Sequence, residues 1–422
     1  MQLIRLVLSL AVASIAAAQS PAPTAWQMQD SGTTAGLRGI DSVDGTIAWA
    51  SGTGGTVLKT TDGGAHWQKC AVPDADKDGA TLDFRGVQTW DADTAIVMAS
   101  GPGEKSRLYK TADGCKTWTL LLKNTDPVGF YDAFTFWDRK HGFLLGDPVK
   151  SMPFARDNPA FMDFYKKHWK QKLKTAKFLT LETRDGGEHW EHWPVRHADL
   201  IDPGVEGGAA FAASNSSLVI PPQRDPASVA EQAENFSYGW IGIGGKGGAR
   251  IFEGLNDLPD VIQPGAEAYG FVWSKAIPIP LAGGNDNSGV FSIAYRDSHN
   301  PLTEVLFKGG KGTYIPNWQF IAVGGDYTKP NESVGTAAWS SDGGEHWTAS
   351  ATPPHGYRSA VQWSASLKLW ITAGTNGSDL SRDDGKTWQP LDNGNWNALS
   401  LPFVVGPNGR IARLNPAAIP KL

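Results

Sequence analysis

The octet Thr60-Thr61-Asp62-Gly63-Gly64-Ala65-His66-Trp67 decides the fold, because its pattern, Ser/Thr-x-Asp-x-Gly-x-x-Trp, returns four more times along the chain. We call all copies Asp boxes, and the further ones span 111–118, 183–190, 340–347 and 381–388. Each copy follows a short run of β-prone residues, such as Thr56–Lys59 or Phe178–Leu181, so each box is predicted to be the turn of a β-hairpin. A long pattern that recurs this often indicates a repeat architecture.

The aspartates of the boxes are predicted to be structural rather than catalytic. A carboxylate at this position accepts backbone N–H groups across the turn, and the glycine supplies the positive φ that the turn needs. The closing tryptophan buries its ring against the sheet. Two boxes lack the pair of glycines of the others, with Cys115 or Asp384 in place of one of them, and there we expect more strained turns. The aspartates concerned are Asp62, Asp113, Asp185, Asp342 and Asp383.

Further short strands precede each box and complete four-stranded blades. Inner strands open at Leu37-Arg38-Gly39-Ile40 and at the similar segments 84–87, 131–134 and 357–360. The first three boxes belong to the first three blades. A fourth blade has no box, the fifth ends in the box at 340–347, and the sixth ends in the box at 381–388. Three strands within 396–414 form the seventh blade, and six or eight blades are the alternatives. The strand 25–29 supplies the missing outer strand of the last blade and removes exposed edges. The fold class is therefore all-β, a seven-bladed β-propeller with Asp-box hairpins.

The composition agrees with this fold and excludes some partners. The 422 residues include 49 glycines and 18 tryptophans and only 19% charged residues, which suits short strands joined by tight turns. The net charge of −5 gives no reason to expect nucleic acid or an anionic membrane as partner. No metal or cofactor motif occurs, so we expect no metal and no cofactor, and we expect a monomer.

Residues 1–18 have the features of a signal peptide, with Arg5, the apolar run Leu6–Ala16 and small residues before Gln19. The run is too short to span a bilayer comfortably. We expect export, to the periplasm or by secretion, with 19–422 as a single mature propeller; an uncleaved membrane anchor is the alternative. Such a compartment permits a disulfide between Cys70 and Cys115, and two separate thiols are the alternative.

The segment 148–177 interrupts the third blade and is predicted to contain a helix. Phe161, Tyr165 and Trp169 recur at helical spacing, and the opposite face carries Lys166, Lys167, Lys170, Lys172 and Lys174. One interpretation is a helix packed on the propeller with solvated lysines. The other is a lid or docking element for an anionic partner or a membrane surface.

The register of the repeat predicts a binding site on the face opposite the Asp boxes, at the mouth of the central channel. The inner strands begin on that face, and the turns between the second and third strands of each blade lie on it as well. Arginines at this mouth would clamp carboxylate, phosphate or sulfate groups. The alternative is a set of Arg–Asp pairs between blades, with Arg85 and Asp132 as the obvious pair. The candidate residues are Arg38, Arg85, Asp132, Asp147, Asp326 and Arg358.

The inner-strand segment Leu/Phe-Arg-Gly-Ile/Val, together with Thr-x-Asp-Gly-Gly-x-x-Trp, resembles the photosystem II stability/assembly factor-like propellers of the Asp-box (BNR-like) superfamily. The resemblance covers Trp26 to Leu414, and 206–215, 323–327 and 356–361 are similar to exported bacterial members. It implies a seven-bladed propeller and, in photosynthetic members, the binding of assembly intermediates through an arginine-bearing surface. Arg38, Arg85 and Arg358 match the arginine position of the repeat, whereas the insertion is foreign to it.

The leading functional hypothesis is a non-catalytic binding or assembly-factor-like propeller, with a protein or an anionic or carbohydrate ligand at the channel mouth. The alternative is a carbohydrate-active hydrolase, sialidase-like or another glycosidase, which needs carboxylates at a suitable separation. Its candidates are Asp132, Asp147 and Asp326, with Tyr327 or Tyr131 as nucleophile. The Phe/Tyr-Arg-Ile-Pro segment typical of sialidases is absent.

Overall fold

The computed structural model describes residues 24–149, 177–190, 206–221, 237–256, 271–273, 276–297, 304–305, 313–314 and 318–420. Within these ranges the chain is an all-β propeller of short antiparallel strands, with the 3₁₀ turns Gly79–Thr81, Gly103–Lys105 and Pro416–Ala418. The helices in these ranges are all too short to traverse a lipid bilayer. The predicted signal peptide 1–18 and residues 150–176 of the predicted insertion lie outside the described residues.

The first two predicted blades are four-stranded antiparallel sheets in which neighbouring strands are consecutive along the chain. Numbered in chain order after β1 (Trp26–Gln29), the strands of the first sheet are β2 (Leu37–Ser42), β3 (Ala48–Gly52), β4 (Val57–Thr60) and β5 (Gln68–Lys69). Those of the second are β6 (Phe84–Thr89), β7 (Ala95–Ala99), β8 (Arg107–Thr111) and β9 (Thr119–Lys123).

The third sheet contains the ends of the predicted insertion. Its strands are β10 (Tyr131–Phe136), β11 (Gly142–Val149) and β12 (Lys177–Thr183). Pro148 pairs with Phe178 and Val149 with Lys177, so these ends of the segment 148–177 are strand. The predicted helix lies wholly outside the described residues.

The predicted fourth and fifth blades are joined into one sheet, whereas the sequence suggests two separate ones. The joint is the pairing of Gly244 with Gly289, where a Cβ on Gly244 would come within 2.3 Å of the carbonyl oxygen of Ser288. Two glycines therefore permit a backbone approach that other residues would prevent. The strands of this sheet are β13 (Gly208–Ala209), β14 (Leu218–Val219), β15 (Ser237–Gly245), β16 (Arg250–Asn256), β17 (Phe271–Trp273), β18 (Ile277–Pro278), β19 (Asn285–Asp297), β22 (Trp318–Asp326), β23 (Ala337–Ser340) and β24 (Thr348–Ala349).

A small hairpin and two further four-stranded sheets complete the described chain. In the last sheet β1 pairs with the strand Ile411–Leu414, from Trp26 opposite Leu414 to Gln29 opposite Ile411, so the first strand lies along the outer edge of the last blade. The hairpin consists of β20 (Glu304–Val305) and β21 (Thr313–Tyr314). The sheets consist of β25 (Ala360–Ser364), β26 (Leu369–Gly374), β27 (Gly377–Ser381) and β28 (Gln389–Asp392), and of β29 (Ala398–Ser400), β30 (Phe403–Val405), β31 (Ile411–Leu414) and β1.

The inner strands contact one another in a closed cycle. The order is β2, β6, β10, β14, β19, β25, β29 and again β2. This cycle favours the count of seven blades, which stays a prediction. Apolar side chains fill the space between neighbouring sheets; between the first two, Trp49, Phe84 and Tyr109 are almost fully buried. Burial of each such ring contributes about 1.5–3 kcal/mol.

The Asp boxes form the turns that their sequence predicts. In the first box the Asp62 carboxylate accepts the backbone N–H of His66 at 2.9 Å, and Gly63 has a φ of 73°. Cys115 and Asp384, which replace one of the two usual glycines, have φ values of 66° and 60°, a conformation that is unfavourable for residues with a side chain.

The fourth box brings together three side chains of the kinds that bind metal ions. The ligand-type atoms of Asp342, Glu345 and His346 lie within 4.8 Å of one another on an exposed turn, where His346 is hydrogen-bonded to Asp342.

Cationic side chains connect three of the boxes to the preceding blade. Each of these side chains lies on the third strand of its blade and donates a hydrogen bond to the Asp box of the next blade. The acceptor is the carbonyl oxygen of the glycine that directly follows the box aspartate. The pairs are Lys59 with Gly114, Lys110 with Gly186 and Arg413 with Gly63, at 3.0–3.1 Å. The boxes therefore also hold neighbouring blades together.

Cys70 and Cys115 form a disulfide, so of the two alternatives left open by the sequence the structure has the covalent one. Their Cα atoms are 5.4 Å apart, within the usual range for a bridge. Cys70 directly follows β5 and Cys115 lies in the second Asp box, so the bond joins the outer edges of the first two sheets.

Residues 210–217, which we call the plug, interrupt the inner strand of the fourth blade. β13 pairs with the end of β15, at Gly244 and Gly245, and β14 pairs with its middle, at Trp240 and Ile241. The eight residues of the plug therefore lie between two strands that are only two residues apart on β15. The plug side chains hydrogen-bond to three other inner strands: Ser214 to the Ser359 carbonyl (2.6 Å), Asn215 to the Phe134 N–H (2.8 Å) and Ser216 to Ser292 (2.7 Å). Because the inner strands line the channel, a segment bound to several of them lies across it.

Candidate functional site

Arg38 and Arg85 share one carboxylate, that of Asp83. Asp83 immediately precedes β6, and its Oδ2 lies 2.8 Å from Nε of Arg85. Nε of Arg38 lies 3.7 Å from Asp83 Oδ1, too far for a hydrogen bond. The arginine side chains are 37% and 30% exposed, so both remain accessible to a ligand. This cluster, Arg38, Asp83 and Arg85, carries one net positive charge.

The predicted pair of Arg85 and Asp132 is not formed as an ion pair or a hydrogen bond, because Arg85 binds Asp83 instead. Asp132 is 2% exposed, and its Oδ2 has no hydrogen-bond partner among the described residues. Burial, together with the charge of nearby Asp147, raises the pKa of Asp132 well above its usual range, although Arg85 opposes the shift. Burial also raises the pKa of Asp147, which accepts the Ala210 N–H at 3.2 Å.

Arg358 is fully buried, which corrects the expectation that it belongs to an open arginine surface. Its Nε donates to Asp379 Oδ2 at 2.6 Å, and Nη1 donates to Asn376 and to the Tyr357 carbonyl. The other carboxylate oxygen of Asp379 is 2.7 Å from Nδ1 of His355. A ligand cannot reach Arg358 without breaking this network, so Arg358 is structural.

Asp326 lies in a separate network on the joined sheet. It accepts hydrogen bonds from the hydroxyl and backbone N–H of Thr328 at 2.6 and 3.0 Å and from Asn285 at 3.2 Å. Burial acts to raise its pKa, but these hydrogen bonds hold the pKa below the usual value. No described contact joins Asp326 to Asp132 or Asp147.

An aromatic group adjoins Asp326. Phe291 stacks on Phe211 of the plug with ring centroids 4.1 Å apart and meets Tyr357 at 4.9 Å. Tyr327 packs edge-on against Phe291 at 6.1 Å and is 47% exposed. The plug links this group to the arginines, because Arg85 donates to the Ala212 carbonyl at 3.4 Å.

The predicted site residues are therefore only partly brought together. Asp132 lies close enough to Arg85 and to Asp147 to interact with both, and Arg38 is connected to Arg85 through Asp83. Asp326 and Arg358 belong to other networks. Asp83 was missed, although it stands two residues before Arg85, a spacing that places both side chains on one face of a strand. As for the hydrolase alternative, Asp132 and the Tyr131 hydroxyl are buried, which does not suit contact with a glycan.

A polar cavity of about 250 Å³ lies within the channel, lined by plug residues and by inner strands of four blades. Around it, side chains of one inner strand hydrogen-bond to the backbone of the next. Asp41 accepts from the Thr89 N–H, Gln88 binds Phe136, Gln362 accepts from the Leu401 N–H and Ser400 accepts from the Ser42 N–H. These contacts fix the inner strands that carry the arginines.

Asp41 is expected to make the stability of the protein depend on pH. Burial raises its pKa to about 6 from 3.8, although hydrogen bonds from Thr89, Ser42 and Ser400 oppose this. Between these values the folded state binds more protons than the unfolded state, so stability falls as pH rises from about 4 to about 6. This pKa shift corresponds to a change in the free energy of unfolding of at most about 3 kcal/mol. The partial exposure of the carboxyl group makes the change smaller.

The test is Asp41→Asn, whose amide oxygen can still accept the Thr89 N–H but does not titrate. Urea unfolding at pH 4 to 7 should give equal stability for variant and native protein near pH 4 and a more stable variant at pH 7. A difference between the two that does not change with pH would contradict this assignment.

The sequence was compared with known proteins. No family profile matches the chain. A curated relative, the photosystem II assembly lipoprotein Ycf48 of Synechococcus sp. (strain CC9902), is 25% identical over 193 residues, which are 44% of this chain. The chain spans about half the length of that relative, 46%. This match confirms the resemblance to the photosystem II assembly factor-like propellers that the repeat predicts.

Among solved structures, the chain is similar to Ycf48 bound to a D1 peptide, with 14% identity and a TM-score of 0.49 over 94% of this chain and 99% of that one. It is also similar to Ycf48 from Cyanidioschyzon merolae, with 16% identity and a TM-score of 0.46 over 93% and 100%.

Proposed function

We propose that this protein is an exported, non-catalytic propeller that binds a segment of a partner protein through Arg38 and Arg85. The single observation that carries the proposal is the Arg38–Asp83–Arg85 cluster: two accessible guanidinium groups share one carboxylate. A net positive site in a protein of net charge −5 favours a local anionic group of a partner. The resemblance to an assembly lipoprotein supports a role in assembly rather than catalysis.

The aromatic group on the plug supports a protein partner rather than a bare anion. Tyr327 is the exposed member of this group and packs on the buried Phe291 and Phe211, and the Arg85–Ala212 contact joins the plug to the arginines. Interfaces with proteins typically combine arginine with aromatic side chains. A segment that presents a carboxylate next to an apolar side chain would match both parts.

Export is the second part of the proposal. It is supported by the signal-peptide features of residues 1–18 and by the disulfide between Cys70 and Cys115, because disulfides persist in oxidising compartments. A size shift of about two kilodaltons between precursor and mature protein, together with recovery from the exported fraction, would support it. Recovery of the full-length precursor from the cytoplasm alone would contradict it.

The binding proposal predicts that Arg38→Gln/Arg85→Gln lowers partner recovery at least about 10-fold, because two charge-assisted hydrogen bonds are removed. The measurement is affinity capture from the exported fraction, followed by binding of the recovered partner to purified variants. Arg139→Gln is the matched control, since Arg139 is an exposed arginine paired with one aspartate, Asp91, outside the cluster. Unchanged recovery with the double variant, in a protein that is still folded, would refute the proposed site.

A further inference from the structure

Asp83 is the residue of the cluster to which neither the repeat nor the resemblance gives a role. We propose that Asp83 tunes the anion selectivity of the site: its charge weakens the binding of dianions such as sulfate or phosphate more than that of groups with a single negative charge, such as a protein carboxylate. This inference rests on the proposed function, because it concerns the same two arginines.

The contacts of Asp83 are unequal, and they leave polar atoms without partners. Its Oδ2 binds Arg85 at 2.8 Å, but its Oδ1 and Nε of Arg38, 3.7 Å apart, are buried and have no hydrogen-bond partner among the described residues. Buried polar groups are nearly always hydrogen-bonded in folded proteins. An incoming anion therefore meets the exposed part of the Arg38 side chain, not its buried Nε, and does so beside Asp83.

The position of Asp83 is fixed by the loop that precedes it. Arg107 is buried and binds both carboxylate oxygens of Asp78 at 2.7 Å, and the Tyr109 hydroxyl binds Asp74 at 2.7 Å. The Asp83 carbonyl accepts the Ser100 N–H at 3.0 Å. The backbone of Asp83 is thus fixed beside the arginines, and the hydrogen bond from Arg85 holds its carboxylate there.

The charge of Asp83 acts unequally on different anions. The two arginines attract an anion, and Asp83 opposes that attraction beside them. The repulsion from Asp83 is proportional to the charge of the ligand. Removing the charge of Asp83 should therefore raise the affinity for a monoanion by a certain factor and the affinity for a dianion by the square of that factor.

The experiment titrates acetate and sulfate, at constant ionic strength, into the native protein and Asp83→Asn, and follows the Nε–H signals of Arg38 and Arg85 by NMR. We expect the variant to bind acetate about 5-fold and sulfate about 25-fold more tightly. Asp83→Ala should show the same order, and it excludes an effect of the new amide. Asp91→Asn, which neutralises the partner of Arg139, should leave both affinities unchanged.

The outcomes separate this inference from the proposed function. Equal gains for both anions, or no gain, would overturn the role of Asp83 and leave the arginine site in place. If neither anion perturbs the two Nε–H signals in any variant, the arginines are not an anion site and the proposed function falls as well.

Discussion

Replacing Arg358 by glutamine is expected to lower the free energy of unfolding by about 3–5 kcal/mol. The reason is the state of Asp379 after the change. Both residues have no exposed surface, and the Asp379 carboxylate depends on Arg358 and His355 for its hydrogen bonds. Without the guanidinium, a buried negative charge is left without its counterion.

Urea unfolding of the purified variant at pH 7 measures this loss. Arg85→Gln is the matched control, because Arg85 is partly exposed and its exposed ion pair contributes only about 0–1 kcal/mol. The double variant Arg358→Met/Asp379→Leu removes both charges and should recover most of the loss. A loss below about 1 kcal/mol for Arg358→Gln would show that the network does not depend on the arginine.

Loss of the disulfide is expected to have an effect of similar size. The bond closes a loop with a sequence separation of 45, and a loop of that length restricts the unfolded chain by about 4 kcal/mol. Cys70→Ala should therefore lower the free energy of unfolding by about 2–5 kcal/mol. The same measurement on the native protein after reduction and alkylation gives an independent value for the missing bond.

Cys115 provides a comparison that separates the bond from the backbone. It occupies the box position where glycine is usual, and its φ is 66°. Glycine adopts this conformation without the cost of about 1 kcal/mol that a side chain incurs. Cys70→Ala/Cys115→Gly should therefore be about 1 kcal/mol more stable than Cys70→Ala. If the double variant is instead the less stable, the turn is not strained by Cys115.

Much of the fold could be predicted from the sequence because the repeat carries it. The box octets fix the hairpin turns, and the glycines and aspartates in them have the conformations and hydrogen bonds that the pattern indicates. The edge position of Trp26–Gln29 follows from a missing outer strand in the last blade. In each case the local sequence contains the physical cause of the structure.

The candidate site could be predicted less well, because side-chain partners depend on neighbouring blades. Arg358 has the same place in the repeat as Arg38 and Arg85, but only in its blade does the third strand carry an aspartate, Asp379, two residues before the box. Other boxes have Leu58, Tyr109, Leu181 or Ala338 there. A polar residue at that buried position was the available signal. The plug has no counterpart in the repeat, so periodicity gave no sign of it.

The strand that closes the last sheet has a consequence for the order of folding. Trp26–Gln29 precedes every other described strand along the chain, and its partner Ile411–Leu414 follows them all. Until then the edge of β1 stays unpaired, and the contact that closes the ring spans nearly the whole chain. Contacts of such long range slow the folding of a protein, and open edges expose it to association with other chains meanwhile. The other sheets can fold first, whereas ring closure must wait until Ile411–Leu414 is available to pair with β1.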